Sequence, residues 1–208
     1  MTIEQFVLLD LEATCWNDEQ GNSKRTMEAI EIGAILTNLR GEVLDTFQTF
    51  IQPVINPMLS DFCKSLTGIS QNDMSGAAAY PEGIAFFDSW FSATSALAWA
   101  SWGAYDLKQL LADSEHHGVA PDFLNRPHIN LKRPWRNTTK YKRQALRAAL
   151  DCHGLSFQGA PHRALDDVKN IARLIPFIDE GIFAKEVGRA FSRASGSDPF
   201  SHQTAWGE

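Results

Sequence analysis

The chain has 208 residues, 44% of them apolar and 21% charged, with a net charge of −6. Those values fit one well-cored globular domain, are too small for two, and exclude a protein that coats nucleic acid over its whole surface. Three widely spaced cysteines, Cys15, Cys63 and Cys152, exclude a disulfide framework and a paired-thiol zinc site.

Phe6 to Ala13 reads as a strand buried on both faces, because it is near-continuous in aliphatic residues. Asp10 and Glu12 interrupt it two positions apart, so their side chains point the same way. Burying one ionised carboxylate is costly, and a like-charged neighbour raises the cost. A divalent cation between them relieves both penalties. A polar loop follows, from Asn17 to Lys24. Ala29–Thr37 and Val43–Ile51 read as a strand hairpin around the Leu39–Glu42 turn, ended by Pro53 and Pro57. Leu59–Leu66 and Ile84–Phe91 read as helices, the second opened by Pro81. A fourth strand is expected over Ala96–Ala100, then a helix over Tyr105–His117. Ile129–Leu131 is expected as a short fifth strand. Further helices are expected over Thr139–Cys152, Leu165–Ile178 and Phe183–Phe191, before a Ser/Gly-rich tail from Ser192. A meander of three strands followed by alternating helices and strands predicts an α/β protein. Its mixed five-stranded sheet would carry helices on both faces, with the two-acid strand near the centre.

Three more residues join the acidic pair as candidates. Asp106 follows the fourth strand across a tight corner, but with Gln109 three positions on it also fits a capping box. Of the adjacent aspartates, helical phase puts Asp167 on the packed side with Ala164, Ile171 and Leu174. It puts Asp166 on the polar side with Lys169, Asn170 and Arg173. Asp167 is therefore the site candidate. His162, in the loop before this helix, suits a mobile general base. Seven basic residues lie between Lys132 and Arg147 with no acid among them: Lys132, Arg133, Arg136, Lys140, Lys142, Arg143 and Arg147. With Trp135 and Tyr141 interleaved, this stretch fits either a nucleic-acid patch or a solvated helix face.

The ordered set resembles the DEDDh (DnaQ-like) 3′–5′ exonucleases of the ribonuclease-H-like fold. Asp10 and Glu12 match the family's first motif, Asp106 its second aspartate, and His162 with Asp167 its final His-x-x-x-x-Asp. A narrower resemblance rests on Asp10–Cys15, Glu28–Gly33 and Leu59–Ile69. It points to the branch with histone-mRNA and small-RNA 3′-exonucleases and bacterial KapD-like proteins. An accessory nucleic-acid-binding domain like that of the animal members is not expected, so their targets do not carry over. The resemblance implies an exonuclease domain over residues 1–180, with a C-terminal helix and flexible tail over 181–208. It implies two magnesium or manganese ions, with Asp10 bridging both, Glu12 and Asp167 on the first, and Asp106 on the second, directly or through water. It makes His162 the base, with Glu12 also catalytic, and places Ala13, Thr14, Leu66 and Thr67 at the terminal nucleotide. The expected substrate is the 3′ end of single-stranded RNA, or DNA in the alternative reading of a repair or proofreading enzyme. A ribonuclease-H-type endonuclease and a non-catalytic regulatory binding module are the remaining alternatives. The short N-terminal apolar run carries two acids and does not read as a signal peptide. No stretch reaches membrane-spanning length, so a reducing, cytoplasmic setting is expected.

Overall fold

The computed structural model describes residues 3–17, 25–142 and 144–196. The elements in chain order are β1 (Gln5–Ala13), β2 (Ala29–Asn38), β3 (Val43–Gln52), α1 (Asp61–Thr67), α2 (Gln71–Met74), β4 (Ala78–Ala79), α3 (Tyr80–Ala93), β5 (Trp99–Ser101), α4 (Tyr105–His117), β6 (His128–Asn130), α5 (Lys132–Thr139), α6 (Leu146–Cys152), α7 (Ala164–Ala172) and α8 (Glu180–Ala194). The sheet order is β4-β3-β2-β1-β5-β6, with β1–β2–β3 antiparallel and β5 and β6 parallel to β1. The expected five strands become six because Ala78–Ala79 adds a two-residue edge beside Ile51 and Gln52. So short a strand has no periodicity to read.

Strand β1 separates two cores by simple alternation. Phe6 and Leu8 face the layer built from α5 to α8, packing with Val168, Ile171 and Phe183. Val7, Leu9 and Leu11 face α3 and α4, packing with Phe87, Phe91 and Leu110. Asp10 and Glu12 share the parity of Phe6 and Leu8, so they open toward α7.

Three expected helices differ in extent. Thr139–Cys152 is not one helix. Lys140 adopts φ 59°, a left-handed conformation that ends α5, and α6 starts only after extended Ala145. Leu165–Ile178 stops at Ala172, and the Ile175–Phe177 turn is tighter, with Pro176 at its start lacking an N–H. Helix α3 is longer than expected, beginning at Tyr80 with Pro81 in its first turn. Most of the Asn17–Lys24 loop and the end of the tail lie outside the described residues, and α8 runs on through Ser192 to Ala194.

Candidate active site

A cleft of about 280 Å³ opens at the C-terminal end of β1, and Asp10, Glu12, Asp106, His162 and Asp167 all line it. Each arrives by a separate local device. Beyond Ala100, β5 no longer pairs with β1. The Leu11 N–H would be orphaned on that side, and Asp106 Oδ1 accepts it at 3.3 Å. Asp106 sits in the first turn of α4, where the helix dipole favours an anion. The capping box is not formed. The N-cap is Ala104, and Gln109 instead donates to Met27 O and to Asp113.

Gly33 pairs with Asp10 across the β1–β2 ladder, and a β-carbon there would collide with the Ala164–Leu165 backbone. Its absence lets the start of α7 press onto the sheet and deliver Asp167 and His162 over Asp10. Glu12, His162 and Asp167 can each offer an atom within 4.8 Å of the others, a spacing that could hold a metal ion. The His162 loop is tightly tied. Asp166 accepts from Ala160 N (2.9 Å). Asn170, fully buried, accepts from Gln158 N (3.0 Å) and donates to Gln158 O (2.7 Å). Asn170 therefore faces inward, contrary to its expected place on a polar side, because it holds this loop. His162 itself has φ 61°, and its backbone amide favours the ionised form of Asp167, against burial.

Burial raises every carboxyl in the cleft above its ordinary range. Burial pushes Glu12 up to about 8, helped by Asp167 and Glu31. Burial likewise raises Asp167 to about 7 and Asp106 to about 6. Asp10 is held well above the usual carboxylate range by burial and then by Asp106, Asp167 and Glu12. A carboxylate-rich set of this kind, with one imidazole beside it, fits a hard divalent cation.

Of the expected nucleotide contacts, Ala13 and Leu66 line the cleft. Thr14 and Thr67 are buried, and their hydroxyls serve the backbone. Thr14 Oγ1 accepts from Glu28 N (2.9 Å), and Thr67 Oγ1 donates to Cys63 O (2.8 Å). The basic stretch also divides. Trp135 is buried and donates to His153 Nε2, so it cannot stack on bases, while Tyr141 is exposed. Lys132 is drawn into the site, where Asp106 and Asp10 act on its ammonium. Arg143 lies outside the described residues.

Sequence reasoning missed Glu31 and Arg163. Glu31 is fully buried opposite Glu12, and Arg163 holds it with two bonds, Nε to Oε2 at 3.2 Å and Nη2 to Oε1 at 3.0 Å. The signal present was an acid inside the apolar Ala29–Leu36 run, which requires a buried partner.

A parallel-and-antiparallel sheet with a carboxylate-rich cleft at the end of its central strand defines an α/β nuclease of the ribonuclease-H-like class. The model of the exonuclease family matches residues 7–175, and the chain belongs to that family. It is 33% identical over 183 residues to human 3′-5′ exoribonuclease 1, covering 82% of this chain and 51% of that protein. It is 30% identical over 194 residues to ERI1 exoribonuclease 2 of Xenopus laevis, covering 82% of this chain and 28% of that protein. The chain thus spans about half, or less, of the length of these relatives. Among solved structures, the nuclease domain of 3′hExo, a DEDDh family member bound to rAMP, aligns with a TM-score of 0.73 at 32% identity, covering 82% of this chain and 89% of that one.

Proposed function

We infer that this chain is a metal-dependent 3′–5′ exonuclease that releases nucleoside 5′-monophosphates from the 3′ ends of single-stranded RNA. The observation that carries the reading is the convergence of Asp10, Glu12, Asp106, Asp167 and His162 in one cleft. The names of the exoribonuclease relatives and the rAMP bound to the 3′hExo nuclease domain support RNA over DNA.

Four carboxylates carry more charge than one divalent ion offsets, which supports two ions, and their hard oxygen donors favour magnesium or manganese. Asp10, central to the cluster, would be shared by both. Glu12 and Asp167 would hold one ion and Asp106 the other. Bound there, the ions would neutralise the acids and stabilise charge on the scissile phosphate. His162 takes a proton from the attacking water at an imidazole nitrogen. The water oxygen bonds to the terminal phosphorus, and the bond to the preceding 3′ oxygen breaks. The phosphate thus leaves on the released nucleotide. Ala13 and Leu66 wall the terminal nucleotide. The three free cysteines support a reducing, cytoplasmic setting. Residues 1–180 are read as the exonuclease domain, and 181–208 as its C-terminal helix and tail.

The test is a digestion ladder of 5′-labelled RNA and DNA of one sequence, with magnesium, manganese or chelator. Stepwise shortening of RNA ahead of DNA, stopped by chelator and slowed at least 100-fold in His162→Ala, is expected. Internal cuts in RNA with a blocked 3′ end, or no metal-dependent shortening, would refute it.

A further inference from the structure

Helix α8 buries one carboxylate, Glu186, and three guanidiniums surround it. Arg133 approaches from α5 at 3.8 Å, Arg189 at 3.5 Å and Arg193 at 3.6 Å. One arginine suffices to neutralise one carboxylate, so this group holds positive charge in excess. The separations are long for arginine–carboxylate bonds, and Glu186 Oε1 has no hydrogen-bond partner among the described residues. The guanidinium side chains are 34–65% exposed, leaving N–H donors open to an outside acceptor.

More cations gather beside them. A cleft of about 140 Å³ between α5 and α8 is lined by Asn137, Lys140, Lys185 and Arg189, with Glu186 as its only acid. Arg133, Asn137 and Lys140 follow one another at helical spacing, so α5 presents them together toward α8. Lys140 and Lys185 have no ion-pair partner among the described residues. Five cations against Glu186, with Asp179 at the end of the face beside Thr138, make a net-positive, anion-binding face on a chain of net charge −6. A ligand seated there needs several negative groups spread along a line, which describes a polynucleotide backbone. Helix α5 also links this face to the catalytic cleft. Helix α5 begins at Lys132, whose ammonium lies by Gly103 and in the field of Asp106 and Asp10, and runs about 12 Å to Lys140.

We propose that the α5–α8 face, through Arg133, Lys140, Lys185, Arg189 and Arg193, binds backbone phosphates of the RNA strand upstream of the 3′ end being cut. This rests on the exonuclease reading above. The face sets how well long substrates are held, and a substrate of two nucleotides does not reach it.

The test variant is Lys185→Gln with Arg189→Gln. Both residues are exposed, and Arg133 and Arg193 remain on Glu186. Two readouts are taken: kcat/KM on a dinucleotide and on a long single-stranded RNA, and salt-dependent binding of the long RNA in a His162→Ala background. The expected result is an about tenfold loss of kcat/KM on the long RNA with the dinucleotide unchanged. The slope of log affinity against log salt should also flatten by about 0.7 per lost contact. Equal effects on both substrates, or an unchanged salt slope, would overturn the proposal. A wild-type protein that cleaves no RNA, yet whose binding weakens on losing the two bases, would count against the exonuclease reading while supporting the face.

Discussion

Glu31 and Glu12 face each other across the β1–β2 ladder, an arrangement that ordinarily destabilises a strand pair. Arg163 resolves it by bonding Glu31 bidentately, with Ala164 N adding a third bond at 3.2 Å. The same arginine acts on Glu12, lowering a carboxyl that its other neighbours raise. Arg163→Ala would leave Glu31 buried with no cation. It should cost about 3 kcal/mol in a denaturant titration, at the lower end for a broken buried pair because Arg163 is partly exposed. It should also weaken metal binding, since Glu12 then deprotonates less readily. Unchanged stability and metal affinity would show that Arg163 supports neither carboxylate. Asp10, Glu12 and Asp167 stood out in the sequence because each interrupts a local pattern: acids in a strand, an aspartate on a packed helical side. Asp106 fitted a capping box as well and His162 only a loop, so the family resemblance carried those two. The partnership of Glu31 with Arg163 was not legible, because it joins residues 132 positions apart through folding alone.

The segment from Gln158 to α7 is the element that places the base. His162 holds a left-handed conformation that costs a non-glycine residue about 1–2 kcal/mol, so the surroundings must impose it. Asp166 and Asn170 impose it from the helix, and Gly159, at φ 84°, leaves room for the Asp166 carboxylate. Asn170→Ala should lower kcat by about 10- to 100-fold with little change in KM, because misplacing a base slows chemistry more than binding. Steady-state kinetics on a short RNA check this, and a retained kcat would show that the helix does not position His162. Sequence periodicity located this helix and the loop before it. It assigned Asn170 to the wrong side, since helical phase cannot tell an exposed polar residue from one buried to tie down a neighbouring loop. The α5–α6 break was illegible for a similar reason. Lys140 is a good helix former locally, and only its backbone conformation ends the helix.

At the scale of the whole molecule, the cleft stores a conflict between folding and ionisation. Unfolded aspartate and glutamate titrate near 4. In the folded protein Asp106, Asp167 and Glu12 titrate at about 6, 7 and 8, and Asp10 is also raised, all chiefly by burial. The metal-free folded state therefore binds more protons than the unfolded chain between about pH 4 and pH 8, and its stability falls as pH rises through that window. A cation that binds only the folded, deprotonated cluster reverses the loss, and it does so most where protons compete least. The most direct test is the melting temperature with chelator and with saturating manganese, at about pH 5.5 and at about pH 8. The metal-free protein should melt lower at the higher pH. Manganese should raise it by about 5–10 °C there and much less at the lower pH. A manganese shift that is absent, or equal at both values, would contradict a carboxylate cluster assembled around divalent ions.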